Sequence, residues 1–207
     1  MSMFNNDRKR ELIPIGKHTG LLFALIDLGT HEDTFQGVTK LKHELYIGFE
    51  LPDVLMSDGR PFMWGKTFNI TNGKFGPYLA KTSNLYKFLK TWTGQEEPKL
   101  QMLGKLIGHP ATISIDHEED KKEKGKYHAV AESVKPFKGE DKPTAINAPI
   151  IYELGEPGSE IPANVFEWCK KKIVACKEWN GGVPKPEENR SGLVREMESS
   201  DDGDIPF

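Results

Sequence analysis

With 207 residues, 37% of them hydrophobic and 29% charged, the chain reads as a soluble globular protein with room for one generous domain and some polar, unpacked length. Its longest apolar run, from Leu21 to Ile26, is far too short to span a bilayer, and no apolar stretch of signal-peptide length follows the charged start MSMFNNDRKR, so a membrane protein and a secreted one are not expected. The formal net charge of −3 hides an asymmetry: residues 182–207 carry three basic and seven acidic side chains, against 25 basic and 24 acidic in the rest, so overall charge gives the body no hold on an anionic polymer, and any such binding has to come from local patches and stacking.

In chain order, residues 1–15 form an N-terminal arm. Gly20–Gly29 is dense in apolar residues and reads as a buried first strand. Thr30–Gly37 is a polar connection or a frayed continuation of it. Lys40–Glu50 then alternates: Leu41, His43, Leu45, Ile47 and Phe49 on one face, Lys40, Lys42, Glu44, Tyr46 and Glu50 on the other. That period of two predicts a half-buried antiparallel strand, ended by Pro52. A third strand runs from Phe62 to Ile70 and turns at Thr71–Lys74. Leu85, Phe88, Leu89 and Trp92 have helical spacing, with Ser83 as N-cap and Gly94 as the stop. Strands four and five follow at Leu106–Asp116 and Tyr127–Val134, joined by a charged tip. Ala148–Leu154 is a candidate edge strand.

Val165–Trp179 predicts a second helix whose stripe contains Val165, Trp168, Cys169, Lys172, Ile173 and Cys176. Cys169 and Cys176, seven apart on such a helix, are too distant to bridge and are expected to be reduced packing residues in a cytoplasmic protein. From Val183 onward no core-forming periodicity remains, and residues 181–207 read as a disordered acidic tail. The fold expected is mainly β with added helices: a five-stranded OB-fold barrel in the order β-β-β-α-β-β over residues 16–180, with a C-terminal helix.

Aromatic residues interleaved with lysines are the candidate contacts for single strands, because bases stack on exposed rings while lysines neutralise phosphates. Lys40, Lys42 and Tyr46 share the face of the second strand opposite its apolar one. Trp64, Lys66 and Phe68 share a face of the third, and their sequence leaves a DNA platform and a buried core equally open for the two rings. Lys74, Tyr78 and Lys81 lie on the loop into the helix, where they either extend a groove or pack over the barrel end. Lys126 and Tyr127 stand where the charged tip meets the fifth strand.

An enzyme is not expected. Gly-rich phosphate loop, HExxH, CxxC pair and nucleophile elbow are all missing from the sequence, and His109, His117 and His128 lack a consistent metal-ligand spacing. Neither a metal nor a cofactor is expected.

The chain ends in Asp201-Asp-Gly-Asp-Ile-Pro-Phe207. An apolar tip, an α-carboxylate and flanking negative charge suit a partner pocket rimmed by Arg and Lys. This end resembles the tail tip of bacterial single-stranded DNA-binding proteins, which read Asp-Asp-Asp-Ile-Pro-Phe; Gly203 is the one departure. More loosely, Gly16–Leu154 resembles phage-encoded single-stranded DNA-binding proteins of the OB-fold type, through Phe23–Thr30, Ile47–Pro52, Ser83–Leu85 with Trp92, and Leu106–Pro110. The resemblance implies coating of single-stranded DNA, self-association of the chain on that strand, and recruitment of replication, recombination or repair enzymes through Asp201, Asp202, Asp204, Ile205, Pro206 and Phe207. Strand annealing and a purely protein-binding adaptor are the alternatives.

Overall fold

The computed structural model describes residues 11–73, 76–121 and 123–181. Its framework is antiparallel. Strands β1 (Gly16–Phe35), β2 (Val38–Leu55), β3 (Pro61–Gly73), β4 (Gly76–Tyr78), β5 (Pro110–Glu119) and β6 (Tyr127–Pro136) pair in the order β4-β3-β2-β1-β5-β6, and β7 (Ile150–Tyr152) joins β1 in parallel. Helix α1 (Asn84–Thr93) and a 3-10 helix (Leu100–Leu106) lie between β4 and β5, and helix α2 (Glu167–Ala175) follows β7. The chain is mainly β, as the alternation predicts. Among the described residues there are seven strands where the expected barrel has five: the three-residue β4 was not expected, and β7 falls within the candidate edge strand Ala148–Leu154. The hydrogen-bonded path is open, and α1 packs on both of its end regions, β3 and β6.

Local chemistry explains the elements. The Ser83 hydroxyl accepts from the Tyr86 N–H at 3.1 Å, and Gly94 takes φ 70° while its N–H reaches the Lys90 carbonyl, so α1 starts and stops as its caps dictate. Its buried side chains are Leu85, Leu89 and Trp92. They pack on the inner face of the sheet with Ile47, Phe49, Leu51, Phe62, Trp64, Phe68, Ala111 and Ile113. Rings interlock there, Phe49 with Trp92 at 5.0 Å and Phe68 with Phe88 at 4.8 Å, and aromatic burial of this kind dominates the energetics of a core.

Several boundaries differ from the sequence reading, β5 starting at Pro110 and not at Leu106, which ends the 3-10 helix; of the two readings of Thr30–Gly37, the continuation of the first strand is the one found. The polar segment Thr30–Phe35 is strand, pairing with Val38–His43 through a two-residue turn at Gln36 (φ 50°) and Gly37 (φ 78°). Positive φ at both turn positions is the geometry that matches strand twist, and because this arm is largely exposed on both sides its sequence has no alternation to betray it. Helix α2 is nine residues long, not fifteen. Pro52 does not end β2; the register slips between Leu51 and Leu55 instead.

A second apolar cluster lies on the outer face of β1 and β2. Phe23, Ala24, Ile26 and Leu28 meet Ile150, Tyr152, Val165, Cys169 and Ile173, with Tyr46, Phe166 and Trp179 around them. The chain after β6 therefore folds back over the sheet. No helix among the described residues is long and apolar enough to cross a membrane.

Candidate nucleic-acid interface

The outer face of β2, expected to be open, is covered along most of its length. At one end the Glu50 carboxylate is fully buried and accepts from the backbone N–H groups of Ile146 (2.8 Å) and Asn147 (3.1 Å) and from Asn147 Nδ2 (2.8 Å). A buried carboxylate needs such donors to offset its lost hydration. In the middle, Tyr46 packs against Phe166 and Trp168, whose ring planes stand nearly perpendicular to its own at centre distances of 5.9 and 5.0 Å. Burial pushes the Tyr46 phenol up to about 12. Further along, Glu44 pairs with Lys172 of α2, and Lys42 pairs with Asp33 across the hairpin arm.

Two glycines make room for Tyr46. A Cβ on Gly65 would lie 2.1 Å from its hydroxyl oxygen, and one on Gly48 2.9 Å from its ring. Gly48 and Gly65 are cross-strand partners, so the ring lies flat over bare backbone from β2 to β3. Neither position tolerates a side chain without displacing the ring.

Several expected contacts are thereby relocated. Trp64 and Phe68 point into the inner core, 8% and 3% exposed; the helix α1 rings supply the apolar surroundings that decide the alternative the alternation left open. Tyr46 is half-buried beneath α2 and offers no free face for stacking. Lys66 is exposed at the β3 edge, its ammonium 5.7 Å from the Phe68 ring centre. Lys40 is exposed on the hairpin arm, where it lines an open hollow with Asp33, Gln36, Val38 and Lys42. Lys81 pairs with Glu97 at 2.7 Å, and Lys126 with Glu123. Both pairs are exposed, so each costs little to break. Tyr78 and Tyr127 are about half exposed. Lys74 and the tail residues Asp201, Asp202, Asp204, Ile205, Pro206 and Phe207 lie outside the described residues.

What stays open on the outer face is a strip along β3. Met63 and Asn69 are exposed and Thr67 is partly so. Tyr78, opposite Thr71 in the β3–β4 pairing, shares this face, because directly opposed residues project to the same side. Trp168, 43% exposed, borders the strip through its contact with Tyr46. Sequence reasoning missed Trp168, assigning it to the buried stripe of a longer helix. Its neighbours Cys169 and Ile173 are the ones buried. The Cys169 thiol is pushed up to about 12 by burial, and both cysteines are free and buried, which makes them packing residues and not reactive thiols.

A polar clasp fastens the end of α2 to the root of the arm. Lys177 N–H donates to the Thr30 carbonyl, Thr30 N–H donates to Glu178 at 2.8 Å, and the Thr30 hydroxyl donates to the same carboxylate. His43 Nε2 lies 2.8 Å from Asp27, and its Nδ1 lies 3.1 Å from the Thr30 hydroxyl and 3.5 Å from Glu178. Burial works to lower the His43 pKa, but Asp27 and Glu178 outweigh it and the net direction is up. For Glu178 burial works upward, and the Thr30 hydrogen bonds with the His43 charge bring the net direction down.

Comparison with protein-family models and with curated proteins yields no match for this chain. The functional reading therefore rests on the residues themselves.

Proposed function

We propose that this protein binds single-stranded DNA with little sequence preference, as a phage or bacterial single-stranded DNA-binding protein does, and that its tail tip recruits replication, recombination or repair enzymes. The observation that carries the reading is the open strip on the outer face of β3. Polar Thr67 and Asn69 stand there between exposed Met63 and Tyr78, the mixture of flat and hydrogen-bonding surface that suits unpaired bases. The connectivity supports it. Three long strands, a helix and two more strands, with β1 between β2 and β5, is the order of an OB fold; the hydrogen-bonded path is open, and it is the proposal that β3 approaches β6 beneath α1 to complete the barrel. The ending DDGDIPF supports the recruiting role, with Phe207 as the anchor and Asp201, Asp202 and Asp204 as its charged collar.

Gel-shift titration with a long oligo-dT strand tests the reading. A retarded complex is expected at low salt, weakening with a log–log slope of about −0.7 for each phosphate neutralised. No complex at low salt overturns it. Deleting Phe207 is expected to abolish capture of partner enzymes while leaving oligo-dT affinity intact; unchanged capture removes the tail from the proposal.

A further inference from the structure

Helix α2 sits on the face through which the β3 strip is reached, and its outward side has a composition that packing does not explain. Cys169 and Ile173 face the sheet and are completely buried. Trp168 is 43% exposed, although an indole is among the most costly side chains to leave in water. One turn on, Lys171 is exposed. Its two neighbours are occupied, Lys170 by Glu167 at 2.8 Å and Lys172 by Glu44, while Lys171 makes no ion pair among the described residues. Residues three apart lie side by side on a helix surface. The helix thus presents an exposed indole beside an exposed ammonium whose nearest opposite charge is Glu167, one turn back on the same helix.

The position of the pair is fixed firmly. The indole plane stands nearly perpendicular to that of Tyr46, ring centres 5.0 Å apart, and Tyr46 lies over Gly48 and Gly65. Thr67 is the cross-strand partner of Tyr46, so Trp168 borders the open strip near its middle. The Lys172–Glu44 pair and the buried Cys169 and Ile173 hold the helix in register.

Resting on the single-stranded DNA reading above, we infer that Trp168 stacks a base and Lys171 takes the adjoining phosphate, so that α2 forms one wall of the DNA path. The C-terminal segment then belongs to the binding surface and is not an appendage to it. The strip alone offers Tyr78 as its exposed ring; α2 adds the second ring and an exposed cation held in no close ion pair among the described residues, the combination that sequence-tolerant binding requires.

The test uses the full chain with fluorescein-labelled oligo-dT, followed by anisotropy over a salt series, together with tryptophan emission. Trp168→Ala is expected to weaken binding about 5- to 150-fold, the range for loss of one stacked base. Trp168→Phe keeps most of the affinity but loses most of the tryptophan quenching seen on DNA binding. Lys171→Gln lowers the steepness of the salt dependence by about 0.7. If wild type binds and Trp168→Ala binds equally well, the inference falls while the single-strand reading stands. If wild type does not bind at low salt, the reading itself falls. Sedimentation separates the remaining cause: Trp168→Ala turning a dimer into a monomer would show that Trp168 serves a second copy of the chain, and that overturns the stacking role.

Discussion

The two faces of the sheet are covered by different means. On the inner face, α1 meets β2, β3, β5 and β6 through an almost wholly apolar core in which Phe49, Trp64, Phe68, Phe88 and Trp92 touch ring to ring. On the outer face, β7 and α2 bring a smaller apolar cluster, and much of its attachment is polar: Glu50 to Ile146 and Asn147, Glu44 to Lys172, Glu32 to Lys177, and the Thr30–His43–Glu178 clasp. Non-directional burial scales with area and tolerates repacking, whereas a polar clasp depends on each donor finding its acceptor. The inner layer should therefore set global stability, and the outer one should open more easily.

The largest effect is expected in the inner layer. Phe49 is fully buried, in ring contact with Trp64, Phe88 and Trp92. Phe49→Ala removes those contacts and leaves a cavity, for an expected loss of about 3–5 kcal/mol. Urea denaturation checks it; a loss as small as that of an outer-face substitution would erase the contrast between the layers.

Glu50→Ala comes next. It leaves three donors around residues 146–147 without an acceptor, at a cost of about 1–3 kcal/mol. The damage should be local: hydrogen exchange at Ile146 and Asn147 accelerates while amides of β1, β2 and β5 keep their protection. Uniform loss of protection would make the outer segment part of the same cooperative unit as the core.

The same contrast governs what the sequence reveals. The inner face of β2 is legible because Leu45, Ile47 and Phe49 alternate with polar residues, and α1 is legible because its caps and its Leu85–Leu89–Trp92 spacing agree. The outer face misleads because Glu44, Tyr46 and Glu50 have the composition of a solvated surface. Their partners, Lys172, Phe166 with Trp168, and Asn147, lie about a hundred or more positions away, and no local pattern connects residues so far apart. Gly48 and Gly65 were the one local sign, since a glycine inside a strand marks a close approach; here the approach is that of the Tyr46 ring. Likewise Trp64 and Phe68 share parity with Lys66, and only the arrival of α1 decides that the rings are core and the ammonium is edge.

The smallest expected effect lies in the clasp, and it depends on pH. Both ring nitrogens of His43 face oxygen, Nε2 toward Asp27 and Nδ1 toward the Thr30 hydroxyl and Glu178. Because the Thr30 hydroxyl donates to Glu178, it is left to accept from Nδ1, and only the imidazolium donates from both nitrogens at once. That arrangement accounts for a folded-state pKa above the ordinary 6.5. A group raised on folding contributes stability in full below its unfolded pKa and loses it as pH rises through the folded value. His43→Gln should thus cost about 1 kcal/mol, the worth of a single hydrogen bond, on the acidic side of 6.5, with the gap to wild type narrowing as pH rises. Thermal melts of both proteins across that range, with the amides of Thr30 and Lys177 followed by hydrogen exchange, check the sign and the place. A gap that widened with pH would mean that His43 is held neutral in the folded protein, and the clasp would then close by burial, as the inner layer does.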